Sequence, residues 1–220
     1  MSHHLESTIE LVLHHDVLCP WSALADVRLR LLVEEFDGVL RLERSPFATR
    51  VEDRLPSVRE AASQMRAIRK VAREPEGQGF KVDLWRSGDP PRSSLPPLVA
   101  LEAAKILGGD AAQERMLAAM RRAAFRHGLN VAREDVLIEL AERCGLETSR
   151  FATALSAQGT RRLVTSQHER AEFRGVISVP SVVIGGEWIV SGARSIDDYR
   201  GAIRRFGEQH ALSVPDRVVH

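Results

Sequence analysis

The sequence predicts an α/β protein, a small sheet domain interrupted by an all-helical insertion, and three observations support this. Ile9 to Val17 and Val39 to Glu43 are strand-like runs on either side of one long helical pattern; a strand–helix–strand unit of these lengths requires a right-handed crossover and a parallel pairing. From about Arg50 to Ala157 the apolar residues recur at helical spacing, with glycines between segments. Beyond that block, Val182-Val183-Ile184 and Trp188-Ile189-Val190 flank Gly185-Gly186-Glu187, the signature of a hairpin. The expected domains are therefore 1–50 with 158–220 for the sheet and 51–157 for the helices.

Taken in order, Ile9 to Leu13 carries the branched apolar residues of a central strand. His14 and His15 are adjacent, so in a strand they face opposite sides and cannot chelate one metal; no metal is expected. The first helix spans Pro20 to Phe36, with Leu24, Val27 and Leu31 on one face and Gly38 as its stop. The second strand is followed by Ser45-Pro46-Phe47, where Phe47 is either a pocket wall or a core aromatic at a turn. Helices are expected over Ser57 to Arg73, Leu95 to Leu107, Ala111 to His127, Glu134 to Cys144 and Ser149 to Ala157, stopped by Gly108-Gly109, Gly128 and Gly145. Gly77 to Pro97, rich in proline, glycine and serine, reads as a loop that either covers a site or merely connects. Thr160 to Phe173 is a helix returning to the sheet, and Ser195 to Phe206 is the last. The tail after Gly207 is expected to be weakly ordered.

Composition removes several function classes. In 220 residues the formal net charge is +1, so there is no global pull toward nucleic acid or an anionic membrane. The first ten residues lack the apolar run of a secretory signal, and no stretch approaches the ~20 apolar residues of a membrane span. The expected location is the cytoplasm, where Cys19 and Cys144 remain free thiols. Arg50 to Arg73 carries seven basic and three acidic residues, either a solvated helix face or a rim that guides an anionic partner to the site. Cys144, in the helical block, reads as a packing residue, with a resolving thiol as the lesser alternative. Nothing in the sequence decides for or against a homodimer.

The chemistry centres on Asp16-Val17-Leu18-Cys19-Pro20-Trp21-Ser22. Cys19 precedes a helix, where free N–H groups and the positive end of the helix dipole favour a thiolate; such thiols commonly fall from about 8.5 into the range ~3.5–7.5. Pro20 suits the first helical position. Ser22 lies where its hydroxyl can reach the sulfur, yet it cannot form a disulfide with it. Asp16 is either a buried acid beside the thiol or the turn residue before the helix.

Asp-x-x-Cys-Pro-Trp, together with Gly175 to Ile184 around Val179-Pro180 and the later Val190-Ser191-Gly192-Ala193, resembles the DsbA-like thioredoxin-fold proteins. The FrnE-like branch is the nearest match, with kappa-class glutathione transferases and 2-hydroxychromene-2-carboxylate isomerases as neighbours. The two motifs stand about 160 residues apart, and the resemblance runs from Ile9 to Phe206. It implies a thioredoxin-like fold with a helical insertion, and a cis Val179-Pro180 bond beside Cys19. Cys19, Ser22 and Pro180 are then the expected catalytic residues, with Pro20, Trp21, Phe47, Val179, Gly192 and Ala193 binding substrate. The typical second cysteine is replaced by Ser22, and Arg194 stands where the transferase and isomerase branch has an acid. Ser22 favours the transferase and isomerase branch, whereas Cys19 and Arg194 favour a thiol oxidoreductase of one cysteine, forming mixed disulfides with protein or small-molecule substrates. Glutathione or another external thiol would resolve them, with no tightly bound cofactor. The alternatives are a glutathione-dependent isomerase or transferase, and a redox-inactive peptide binder.

Overall fold

The computed structural model describes residues 8–212 and 214. Its sheet has four strands in the order β2-β1-β3-β4. β1 (Ile9–His15) is central, parallel to β2 (Leu40–Pro46) through α1 (Pro20–Glu35) and antiparallel to β3 (Ser181–Ile184), which continues into the antiparallel β4 (Trp188–Ser191). β2 runs three residues past the expected end at Glu43 and takes in Pro46. This is permitted because β2 is an edge strand, where a missing N–H leaves no ladder bond unmade. Gly185 and Gly186 turn the hairpin at positive φ (58° and 77°).

The two faces of the sheet are covered by different helices, as the alternation of β1 requires. Leu11 and Leu13 pack with Leu29 and Leu32 of α1, with Phe36 that caps its end, and with Tyr199 and Ile203 of α8 (Ile196–Gln209). Val12 and Val183 point the other way, toward Phe47, Val176 and Ala171 of α7 (Gln158–Phe173).

Between β2 and β3 lie α2 (Val58–Val71), the short α3 (Asp83–Arg86), α4 (Leu95–His127), α5 (Glu134–Arg143), α6 (Thr148–Ser156) and α7. The two helices expected on either side of Gly108-Gly109 are the two halves of α4, which bends where Gly109 takes φ 67°. Ser57 caps α2 with a reciprocal bond from Glu60. Gly77 to Pro97 is less open than expected: a 3-10 turn at Pro75–Gly77 leads into it, α3 interrupts it, α4 takes up its last three residues, and Leu84 and Trp85 are buried in the helical core. The basic run divides. Arg54 lies in solvent, paired with Glu52 and Glu60, whereas Arg50 lies over the Trp85 ring. The last helix extends to Gln209, and of the expected loose tail residues 213 and 215–220 lie outside the described residues.

α7 packs on both α4 and β2, so it joins the two parts. The polar tie between them is Asp26. Its carboxylate receives Arg44 Nε of β2 at 2.7 Å and Arg121 Nη1 of α4 at 2.8 Å. Burial alone would raise the Asp26 pKa, but the charges of Arg121 and Arg44 outweigh it and hold the carboxyl below the ordinary range. A depressed pKa contributes stability above the unfolded-state value of about 3.9, and that contribution is lost as pH falls through the lower folded value. Asp26→Ala leaves two buried guanidiniums without their shared anion and is expected to lower urea stability at pH 7 by about 3–5 kcal/mol. The difference between variant and parent should shrink below pH 4, and a constant difference down to pH 2 would argue against this role.

Candidate functional site

The site forms at the end of the sheet where β1 stops. β1 pairs His15 with Pro46 on one side and His14 with Ser181 on the other, so residues 16–19, 47–49 and 178–180 emerge together. Cys19 is the N-cap of α1 with extended backbone (φ −85°, ψ 114°), and Pro20 occupies the first turn. The Cys19 N–H donates to Asp16 O at 3.2 Å, and Ala23 N–H donates to Cys19 O at 3.1 Å, which fixes the turn on the helix. Across from it the Val179-Pro180 peptide bond is cis. The Cys19 thiol lies 3.9 Å from the Val179 carbonyl oxygen, a long thiol-to-carbonyl contact between the two motifs.

Cys19 and Trp21 are partly buried, while Pro20, Ser22 and Pro180 are buried. The Ser22 hydroxyl and N–H and the Trp21 N–H all serve the sulfur. Ser22 Oγ also accepts the Asp16 N–H at 3.5 Å. These donors are the thiolate-stabilising groups expected at a helix start, but the direction of the thiol pKa differs from the expectation. Burial pushes the Cys19 thiol up and the Asp16 charge adds to the rise, against the pull of Ser22 and Trp21. Desolvation of the charged sulfur exceeds what the free helix N–H groups return.

Asp16 turns out to fill both roles left open for it. Its Oδ1 accepts Leu18 N–H at 2.9 Å, making the turn into α1, and its side chain is fully buried beside the thiol. Oδ2 accepts Thr49 N–H at 2.9 Å and the Thr49 hydroxyl at 2.6 Å. Burial raises its pKa, partly countered by Thr49, Leu18 and Ser94. His14 and His15 are buried and neutral: desolvation, with Arg174 and Arg121 as the next contributions, lowers them to about 4 and about 3. No cluster of metal-ligating side chains occurs among the described residues.

Gly192 joins this end of the sheet by donating its N–H to Pro180 O at 2.8 Å, and its carbonyl accepts the Tyr199 hydroxyl at 2.9 Å. Phe47 is 6% exposed, with its ring on that of His168 at 4.3 Å between centroids. Ala193 packs against the core of the sheet and α8. The N-terminus of α8 is closed by a capping box of Ser195 and Asp198. Cys144 packs against the helical core at the end of α5.

Three residues of the site were not anticipated. Thr49 and Ser94 hold Asp16, and Arg121 reaches the Ser22 carbonyl at 3.4 Å from α4. The pairing of His15 with Pro46 would have placed Thr49 here once the register of β1 and β2 was known. Arg121 is 99 residues from Ser22, and no spacing signals it.

Comparison with known proteins agrees with this architecture. ClpXP adapter protein SpxH of Halalkalibacterium halodurans is 33% identical over 101 residues, a match covering 46% of this chain and only 32% of that protein. A candidate protein disulfide isomerase from Nitrosomonas europaea superposes with a TM-score of 0.81 at 18% identity, covering 93% of this chain and all (100%) of the other. Cytosolic disulfide reductase DsbM from Pseudomonas aeruginosa, crystallised with GSH, superposes at 0.69 with 24% identity over 90% of this chain and 99% of its own. At these identities the two superpositions show a shared fold. Residues 10–204 match the DSBA-like thioredoxin domain, and the chain belongs to that family.

Proposed function

We propose that the protein is a thiol-disulfide oxidoreductase that works through Cys19 alone. The observation that carries this reading is the contact of the Cys19 thiol with the Val179 carbonyl, while Ser22 serves the same sulfur. A substrate disulfide approaching Cys19 passes the Val179 backbone, whose carbonyl can accept a hydrogen bond from an extended peptide.

The Cys19 thiolate attacks one sulfur of the substrate disulfide. A bond forms between Cys19 and that sulfur, the original S–S bond breaks, and the other sulfur leaves as a thiolate that takes a proton from water. Ser22 has no sulfur to displace this adduct, so a second, external thiol attacks it. Glutathione fits as that thiol: attack on the substrate-derived sulfur restores the Cys19 thiolate and releases a new disulfide. With a glutathionylated substrate the products are the reduced substrate and oxidised glutathione. The structure of DsbM with GSH supports glutathione as a ligand of this fold, and the one-cysteine motif supports its use here.

A redox-inactive binding role is the second reading. It is favoured by the raised thiol pKa and by the similarity to an adapter protein over part of the chain.

Two tests follow. Because burial and Asp16 raise the thiol pKa, alkylation and exchange should accelerate as pH rises past 8.5, with little thiolate at pH 7. Asp16→Asn removes the repelling charge and is expected to shift the Cys19 alkylation profile to lower pH, several-fold faster at pH 7, measured with iodoacetamide in a Cys144→Ala background. An unchanged or rising profile would mean Asp16 does not act on the sulfur. In turnover assays with a glutathionylated peptide, Cys19→Ser should abolish activity while Cys144→Ala keeps it. Omitting the external thiol should stop the parent after one mixed disulfide per chain, detectable by mass spectrometry. Full turnover without added thiol would exclude the proposed resolution step.

A further inference from the structure

A cleft of about 430 Å³ lies between α1 and the second half of α4, with Glu76 and Phe80 at its edge. That volume is in the range of small-molecule sites. Ala23, Val27, Leu117, Ala118 and Phe80 supply apolar lining, and the remaining wall is charged.

Each acid on that wall is already engaged. Asp26 holds Arg44 and Arg121 as described above, Glu76 accepts Arg28 Nε at 3.1 Å, and Glu114 accepts Arg44 Nη2 at 3.2 Å. Arg122 and Arg126 are left over, since no ion pair among the described residues includes either of them. They are four residues apart on α4 and therefore share a face, roughly 6 Å apart. Arg121 also lines the cleft, but its guanidinium is committed to Asp26 and to the Ser22 carbonyl, so the uncommitted charge is that of Arg122 and Arg126. The cleft thus combines an apolar lining with surplus positive charge, the chemistry that suits a small anion with an aliphatic body.

Its position ties it to the thiol. Ala23 lies one turn of α1 beyond Cys19, to which its N–H is bonded. α4 runs opposite to α1, because Glu114 lies at Arg30 while Arg121 lies at Ser22 and Asp26. Arg122 and Arg126 consequently sit toward the Cys19 end of the cleft.

We propose that this cleft binds the carboxylate end of a small anionic thiol or disulfide, selecting the co-substrate that exchanges with Cys19 through Arg122 and Arg126. This rests on the exchange reading above. It adds the substrate class: carboxylate-bearing thiols are preferred over neutral ones of equal reactivity.

Both arginines are exposed, so Arg122→Gln/Arg126→Gln leaves the core intact. Calorimetry with S-methylglutathione, which cannot exchange, measures the site without the chemistry. The parent should bind it with an affinity that weakens as salt is raised, and the double variant should bind about tenfold or more weakly, in line with the loss of charge-assisted contacts. In the turnover assay the same variant should raise the KM for glutathione about tenfold, leaving resolution by 2-mercaptoethanol unchanged. Equal binding by parent and variant, or no advantage of glutathione over 2-mercaptoethanol in the parent, would overturn the cleft assignment. Binding that is lost in the variant, in a protein whose Cys19 exchanges with no disulfide, would support the cleft as an anion site and overturn both the exchange reading and the co-substrate role.

Discussion

The pairing of β1 with two neighbours at once is the constraint on which the site depends. β2 runs parallel to it and ends beside it, while β3 runs antiparallel and begins there. Three chain segments far apart in sequence therefore leave the sheet at one end. Because side chains alternate along a strand, a slip of one residue would exchange the Leu11 and Leu13 face with the Val12 face. The cores on both sides of the sheet resist such a slip, so hydrophobic packing against α1 and α8 on one face and α7 on the other is what holds Cys19 opposite Val179.

Within that frame, burial acts differently on two carboxylates ten residues apart. Asp16 is held by neutral groups, namely Thr49, Ser94 and the Leu18 N–H, and desolvation wins, so its pKa rises. Asp26 is equally hidden but faces Arg44 and Arg121, and the cations win, so its pKa falls. Cys19 resembles Asp16 in this respect. Hydrogen bonds from Ser22 and Trp21 favour its charged form without overcoming the loss of water. A substrate that brings its own positive charge, or a motion that admits water, would move the balance toward the thiolate.

Much of the fold was legible from short-range pattern. The strand–helix–strand start, the Gly-Gly hairpin and the glycine stops of the insertion are local signals, and the Cys-Pro helix start placed Cys19 as observed. The end of β2 was less legible, because whether a strand tolerates Pro46 depends on its place at the sheet edge. The partners of Asp16 lay outside local pattern too, since Thr49 and Ser94 arrive through strand register and through the packing of the insertion. The direction of the Cys19 shift was missed for a related reason. A helix start is visible in sequence, whereas the depth at which the fold buries it is a property of the whole chain.

The insertion is more than a spacer between β2 and β3. Arg121 of α4 bonds the carbonyl of Ser22 and the carboxylate of Asp26, both on α1, while Ser94 at the start of α4 bonds the backbone of Arg50, next to the Thr49 that holds Asp16. The turn that carries Cys19 is thus braced from both ends of one long helix, and its bend at Gly108-Gly109 lies between the two braces. A rigid, straight α4 would have to satisfy both contacts with one fixed direction. Two halves joined at Gly109, whose φ of 67° lies in the left-handed region that glycine enters freely, can meet them independently. The glycine pair that reads as a simple helix stop is therefore the point at which the helical block adjusts itself to the thiol turn.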